Sequence, residues 1–284
     1  MSWRRGSSAA KLHPSRIQAV AASCTRWSRS CGIQRRREIN LAEGGGIAYL
    51  FGARHVQIVD GQIAVFWAAL PHRLVRVDER VRLTWLTVPL ARVLGWELPA
   101  LLTVHLLEGH PVLGSPMDHL QNATAMRRWL ADINSGAKES ASIALLEIEA
   151  SLRRLALRLI DGGARVSTPA SGTGGGAHPA ECIAQLIAER YREPLRVADL
   201  AAAVHLHPSY AMSLFRQTFD LTIIEYLTRF RVAAAQRLLA VTDAGVLEIA
   251  LDCGFGSSSR FHAAFKEACG QSPREYRLTV RLRS

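Results

Sequence analysis

Hydrophobic and polar positions change their period twice along the chain. From Glu38 to about Val112, short β-branched and aromatic runs alternate with Gly and Pro: Ile47 to Phe51 before Gly52, His55 to Val59 before Asp60-Gly61, Ile63 to Trp67 before Pro71, and Val81 to Val88 before Pro89. Asp-Gly between alternating runs is a strong hairpin signal, and short strands at this spacing predict a small β-barrel or sandwich. Helical period follows from about Met117 to Ile133 and from Ser140 to Ile160. In the second segment Leu145, Ile148, Leu152, Leu155 and Leu159 form a stripe that packs either on the chain's own barrel or on a partner's copy.

Residues 161–178 are Gly-, Ser- and Thr-rich, which is flexible linker composition. Beyond them the period is helical: 179–192, 197–204, 208–219, 222–240, 246–252 and 257–269, with Pro, Gly or Asp at the breaks. The first 37 residues are rich in Arg, Ser and Ala, hold no acid and show no sustained period, so 1–37 is expected to be a disordered basic tail. The organisation expected is thus α+β: a β-rich unit with two flanking helices over 38–160, a linker over 161–178, and an all-α unit over 179–284.

A length of 284 residues and an apolar content of 49% suit two folded units with real cores. The longest apolar stretches, such as Leu98 to Leu107, fall short of a membrane span, so no membrane segment is expected. The net charge of +11 invites a nucleic-acid reading, but residues 1–40 carry +8 of it and residues 179–284 only +2. Motifs, not charge, must carry that reading. The five cysteines are scattered, with no Cys-x-x-Cys pair and no nearby His-x-x-x-His. Neither a disulfide framework nor a zinc site is implied, and a cytoplasmic protein with reduced thiols is expected.

In the C-terminal third a short helix, a tight turn and a second amphipathic helix occur twice, over Val197 to Phe219 and Val246 to Cys269. The second helices start at Pro208 and Ser257, and the segment between them from Thr222 to Ala240 can form a spacer of about 28 Å. Two recognition helices about 34 Å apart could enter successive major grooves on one face of double-stranded DNA. Leu200, Val204, Ala211, Leu214, Phe215 and Phe219, then Ile249, Phe255, Phe261, Ala264 and Phe265, supply the apolar faces. The outward set is Ser209, Met212, Ser213, Arg216 and Gln217, then Ser258, Ser259, His262, Ala263 and Lys266. Gly254 is expected at positive φ, and Pro208 at the first helical position behind His207 as N-cap.

The ordered series Leu200-Ala201, Leu214-Phe215, Arg231, Ala235, Leu238-Leu239, Glu248-Ile249-Ala250, Gly254-Phe255, Phe261, Phe265-Lys266, Gly270 to Pro273 and Tyr276-Arg277 resembles the AraC/XylS family of bacterial transcription regulators. The resemblance implies a double helix-turn-helix DNA-binding unit. Ser209, Met212, Ser213, Ser259, His262 and Ala263 would face bases, while Arg216 and Lys266 are better placed for phosphates. His205 and Asp220 depart from the glycines common in the family and would have to adopt left-handed conformations.

The 38–160 unit is similar to the family's cupin-like effector domains through Tyr49 to His55 and Phe66 to His72. Trp67, Trp85, Trp96 and His72 are the candidate pocket residues, because aromatic faces stack on sugars or apolar effectors. The family further implies a homodimer controlled by a small-molecule effector, a sugar among the candidates, with RNA polymerase as partner and activation as the sign. It also favours a partner's copy over the chain's own barrel as the seat of the leucine stripe. Cupin enzymes hold a metal with His-x-His, but Arg35 to Asn40 contains no His, so no metal or other cofactor is expected. No Gly-x-Ser-x-Gly, P-loop or dinucleotide-binding loop stands in a suitable context, so no enzyme is expected. An effector-independent DNA binder whose barrel serves only dimerisation is the alternative, and Cys253 and Cys269 are a minor redox candidate.

Overall fold

The computed structural model describes residues 18–23, 37–52, 54–167 and 178–281. Its N-terminal part is built from strands β1 (Gln18–Ser23), β2 (Arg37–Glu43), β3 (Ile47–Phe51), β4 (Arg54–Ile58), β5 (Ile63–Trp67), β6 (His72–Val77) and β7 (Arg82–Val88). Helices α1 (Leu90–Leu94) and α2 (Ala100–Leu107), strand β8 (Val112–Leu113), helices α3 (His119–Asn134) and α4 (Lys138–Ile160), and strand β9 (Arg165–Val166) complete it. The strands form two sheets, ordered β1-β7-β2-β5-β8-β9 and β4-β3-β6, so the described residues show a two-sheet sandwich and no closed barrel.

Alternation along the strands assigns each face. Ala42, Tyr49, Phe51, Ala64, Phe66 and Leu83 meet between the sheets, while Ile39, Leu41, Val65, Leu86 and Val88 on the opposite face of the larger sheet pack under α2, α3 and α4. Ile148, Leu152 and Leu155 of the α4 stripe are buried there with Trp129 and Met126, and Leu159 packs against the same cluster. The stripe therefore closes the chain's own core, which corrects the expectation that it seats on a partner. The wide apolar face of the large sheet needs a cover, and the nearest amphipathic helices supply it.

Asp60-Gly61 does not make a hairpin. β4 pairs with β3, and β5 pairs with β2 and β8, so this turn carries the chain from one sheet to the other. Gly61 is required there for space: at φ 70° its Cβ would fall 1.9 Å from His119 Cβ. The hairpin lies at Gly52, between β3 and β4, at φ 62°.

Two segments expected to be unstructured contain strands. Residues 18–23, inside the expected tail, pair antiparallel with β7, whose edge otherwise presents free backbone donors and acceptors. At the start of the expected linker, β9 pairs with β8, and Ser167 N–H donates to Pro111 O at 2.8 Å. Residues 1–17, 24–36 and 168–177 of the expected tail and linker lie outside the described residues.

The C-terminal half is helical: α5 (Pro179–Arg190), α6 (Val197–Ala203), α7 (Pro208–Phe219), α8 (Ile223–Val241), α9 (Val246–Asp252), α10 (Ser258–Cys269) and α11 (Pro273–Arg281). It shares cores with the sandwich. Leu50 sits among the residues of α5 to α8, and Trp67 and Leu90 join those of α8 to α11. Arg73 Nη1 donates to Gln217 O at 3.3 Å, and His55 Nε2 lies 3.1 Å from Glu181 Oε1. The chain thus combines N-terminal sheets with a helical C-terminal region.

Candidate nucleic-acid interface

Both helix pairs are shaped by their caps. In the first, His205 takes φ 55°, and Leu206 N–H returns to Ala201 O at 2.9 Å. His207 caps α7 by accepting from Ser209 N–H at 3.4 Å, with Pro208 at the first helical position. Asp220 ends α7 at φ 56°. In the second, Gly254 takes φ 81°, Ser257 Oγ accepts from Arg260 N–H at 3.3 Å, and Gly270 ends α10 at φ 71°. The left-handed conformations foreseen for His205 and Asp220 are present, and a short polar side chain at Asp220 tolerates what Gly270 does freely.

Residues 208–219 and 258–269 carry the same sequence of buried, half-buried and exposed positions, residue for residue, at an offset of 50. Ala211, Phe215 and Phe219 correspond to Phe261, Phe265 and Cys269, all buried. Ser209, Met212, Ser213, Arg216 and Gln217 are exposed, as are Ser259, His262, Ala263 and Lys266, while Ser258 is half-buried at the helix start. Tyr210 and Arg260 are exposed on the first turns of α7 and α10 and were absent from the sequence reading. Their signal was positional, since each follows Ser209 or Ser259 on the outward side, and Arg260 brings the donor fork that the small residues around it lack. His262 Nδ1 lies 2.9 Å from Ser258 O, which leaves Nε2 as its outward nitrogen.

α8 joins the two pairs as a rigid spine of about 28 Å. Thr222 and Glu225 close a capping box at its start, with Thr222 N–H donating to Glu225 Oε2 at 2.8 Å; this bond holds the Glu225 carboxyl below its ordinary pKa. Tyr226 packs edge-on against Phe215 at 5.3 Å, and further along Ala233, Ala235 and Leu239 enter the cluster of Phe255, Phe261 and Phe265. Arg231 is half-buried: it donates to Tyr191 O and Glu193 O, each at 2.7 Å, and stands 6.0 Å over the Phe255 ring. Cys253 is buried, and burial pushes its thiol up to about 12, so it is an inert thiol at neutral pH.

A second set of polar groups is enclosed between the sheets. Glu38, Asn40 and Tyr49 are buried, and the Tyr49 hydroxyl donates to Asn40 Oδ1 at 3.1 Å. Asn40 Nδ2 donates to Glu38 Oε2 at 3.5 Å, and His72 Nε2 stands 4.0 Å from the same oxygen. Burial raises the Glu38 carboxyl above its ordinary pKa, with His72 and Asn40 opposing. Phe51, Phe66 and His72 form an aromatic box, the Phe51 and His72 rings stacked at 5.4 Å. Trp85 packs against this interior cluster. Trp67 does not: at the end of β5 it faces out and is buried against the C-terminal helices, and Trp96 packs beside the cluster under α2 to α4. Strand alternation separates Trp67 from Phe66 and excludes it from the interior. Glu38, Asn40 and Tyr49 are interior polar residues outside the expected pocket set; period-2 alternation with Ile39 and Leu41 is the signal that places Glu38 and Asn40 there.

A family model described as a helix-turn-helix domain matches residues 200–279. The melibiose operon regulatory protein of Escherichia coli K12 is 31% identical over 248 residues, covering 84% of this chain and 80% of that protein. The chain belongs to the AraC family of transcription regulators. As an AraC-family member it is a DNA-binding transcriptional regulator and not an enzyme. The Msm operon regulatory protein of Streptococcus mutans is 34% identical over 98 residues, covering 34% of this chain and 35% of that protein. The DNA-binding domain of AdpA, solved in complex with a target DNA, is 33% identical, covering 37% of this chain and 94% of that one at a TM-score of 0.35. Among the described residues no helix is long and apolar enough to cross a membrane.

Proposed function

We propose that this AraC-family chain reads two adjacent segments of double-stranded DNA through two helix-turn-helix units, α6–α7 and α9–α10, and that a small molecule bound in the sandwich controls its action at promoters. The observation that carries the reading is the identical exposure pattern of α7 and α10 on one rigid spine. Ser209, Met212, Ser213, Ser259, His262 and Ala263 face bases, joined by Tyr210 and Arg260, and Arg216, Gln217, Ser258 and Lys266 meet the backbone. With so many small side chains, van der Waals contacts and DNA shape supply part of the specificity.

The effector is a sugar or related polyhydroxylated molecule. Glu38, Asn40, Tyr49 and His72 offer it hydrogen bonds, and Phe51, Phe66 and Trp85 offer ring faces. Similarity to a regulator named for the melibiose operon supports this class. In this reading residues 38–160 form the effector and dimerisation unit, 161–178 the connection and 179–284 the DNA reader, in a cytoplasmic homodimer that activates through RNA polymerase. The exposed face of α4 suits the dimer: Ile143, Leu146, Leu157 and Ile160 lie at heptad spacing, all more than half exposed. Effector binding shifts the population of dimer arrangements presented to paired half-sites.

Selection of bound sequences from a random duplex pool tests the central claim, with the full chain compared to a variant carrying Arg216→Ala and Lys266→Ala. Two short motifs spaced by about 10 base pairs, weakened in the variant, are expected. Binding without a motif that salt abolishes entirely would overturn the reading. A thermal-shift screen of sugars tests the effector, and the absence of any stabilising ligand would favour effector-independent binding.

A further inference from the structure

α2 ends in a turn that gathers three donor side chains from six residues of chain. His105 lies in the last turn of the helix, Glu108 caps it, and Gly109, at φ 80°, turns the chain back so that His110 N–H donates to His105 O at 2.8 Å. The two imidazole rings lie 5.9 Å apart, and one ligand atom from each of the three side chains falls within 4.8 Å of the others. Nδ1 of His105 and Nδ1 of His110 are both buried without a hydrogen-bond partner, and Glu108 Oε2 stands 3.5 Å from His110 Nδ1. A buried polar atom without a hydrogen bond is costly, and this one turn holds two such nitrogens together with a carboxylate.

We infer that His105, Glu108 and His110 form a binding site for one divalent transition-metal ion of the zinc class. Two imidazole nitrogens and a carboxylate oxygen suit zinc and its neighbours, whereas magnesium and calcium take shells of oxygen. Bonds of about 2.1 Å in a tetrahedral shell hold ligand atoms about 3.4 Å apart, so closing on an ion needs side-chain movement on the order of 1 Å. Glu108 is exposed, which leaves a water free to complete the shell. Arg54 is the opposing charge, but its guanidinium is turned to Gly109 O and Ser167 O, each at 3.4 Å, and Glu108 offsets it.

The position gives the site a structural consequence. Pro111, next in the chain, accepts the Ser167 N–H, and Val112 pairs with Val166. An ion at this turn therefore ties the end of α2 to the strand pair from which the chain leaves for the DNA-binding helices.

Full-length protein, stripped of metal and titrated with Co2+ and then Zn2+, tests the site. One equivalent of Co2+ is expected, with d–d bands, no thiolate charge transfer, and displacement by Zn2+. His105→Ala and His110→Ala should each weaken Zn2+ by at least about tenfold, Glu108→Gln by less, and Zn2+ should raise the melting temperature of the parent only. Mg2+ should do nothing. A thiolate charge-transfer band, no stoichiometric cobalt binding, or unchanged zinc affinity in both histidine variants would overturn the assignment. The cobalt spectrum decides on the parent protein even if a variant fails to fold.

Discussion

Gly254 packs the turn of the second helix pair onto the connection that follows α5. At its φ of 81°, an added Cβ would fall 2.6 Å from Tyr191 O and 2.8 Å from Arg192 O. Gly254→Ala therefore combines a left-handed backbone penalty of about 1–2 kcal/mol with overpacking against main chain, which costs about 1–3 kcal/mol to relieve. The expected loss is about 2–5 kcal/mol. Tyr191 O also accepts from Arg231 Nε, so a carbonyl displaced by the new methyl loosens the tie between α8 and that connection. Asp220 carries the opposite sign, because it holds φ 56° with a side chain present. Asp220→Gly removes the backbone penalty, the greater freedom of glycine in the unfolded chain takes back about 0.5–1 kcal/mol, and a net gain on the order of 0.5 kcal/mol remains. Urea unfolding followed by circular dichroism compares the three midpoints. A Gly254→Ala midpoint equal to that of the parent would refute the close approach to the two carbonyls.

Burial raises the pKa of Glu38 in the folded chain, so the folded state holds this proton more tightly than the unfolded state. Stability should fall as pH rises from the ordinary value of 4.5 through the raised folded value, and Glu38→Gln should flatten that fall while matching the parent below it; parallel pH–stability curves would contradict this. Cys253 should resist a thiol reagent in the native protein and react only on unfolding, and rapid native labelling at that residue would show the turn to be open. Arg216→Ala or Lys266→Ala should weaken all DNA sequences alike and reduce the slope of log affinity against log salt by about 1 each, whereas Arg260→Ala should relax preference at one base position at a cost of about 1–3 kcal/mol. An unchanged salt slope would remove the phosphate assignment. Phe265→Ala, at a fully buried position, should destabilise by about 3–5 kcal/mol in thermal melts, and a smaller loss would show a core that collapses readily.

The chain by itself determined α5 to α10 almost to the residue, whereas α11 was not among the expected helices. Pro208, Ser257, Gly254, Asp220 and Gly270 act within one turn of where they stand, and the apolar period of α7 and α10 sets which side is buried. The outward candidates were therefore legible, and Tyr210 and Arg260 were passed over although they share the same exposed arcs. Tertiary structure decided what depends on partners far along the chain. Asp60-Gly61 has the chemistry of a hairpin, yet it crosses between sheets because β5 finds β2 and β8, and β4 finds β3. Gln18–Ser23 becomes a strand only because β7 has an edge to offer, and the α4 stripe turned inward because the large sheet had an apolar face to cover. Trp67 and Phe66 are neighbours in sequence but belong to different cores, and Glu38, Asn40, Tyr49 and His72 meet only when two sheets close on them. Local backbone preferences act over a few residues and can be read in order along the chain, whereas burial and strand pairing are chosen among distant segments by the free energy of the whole packing.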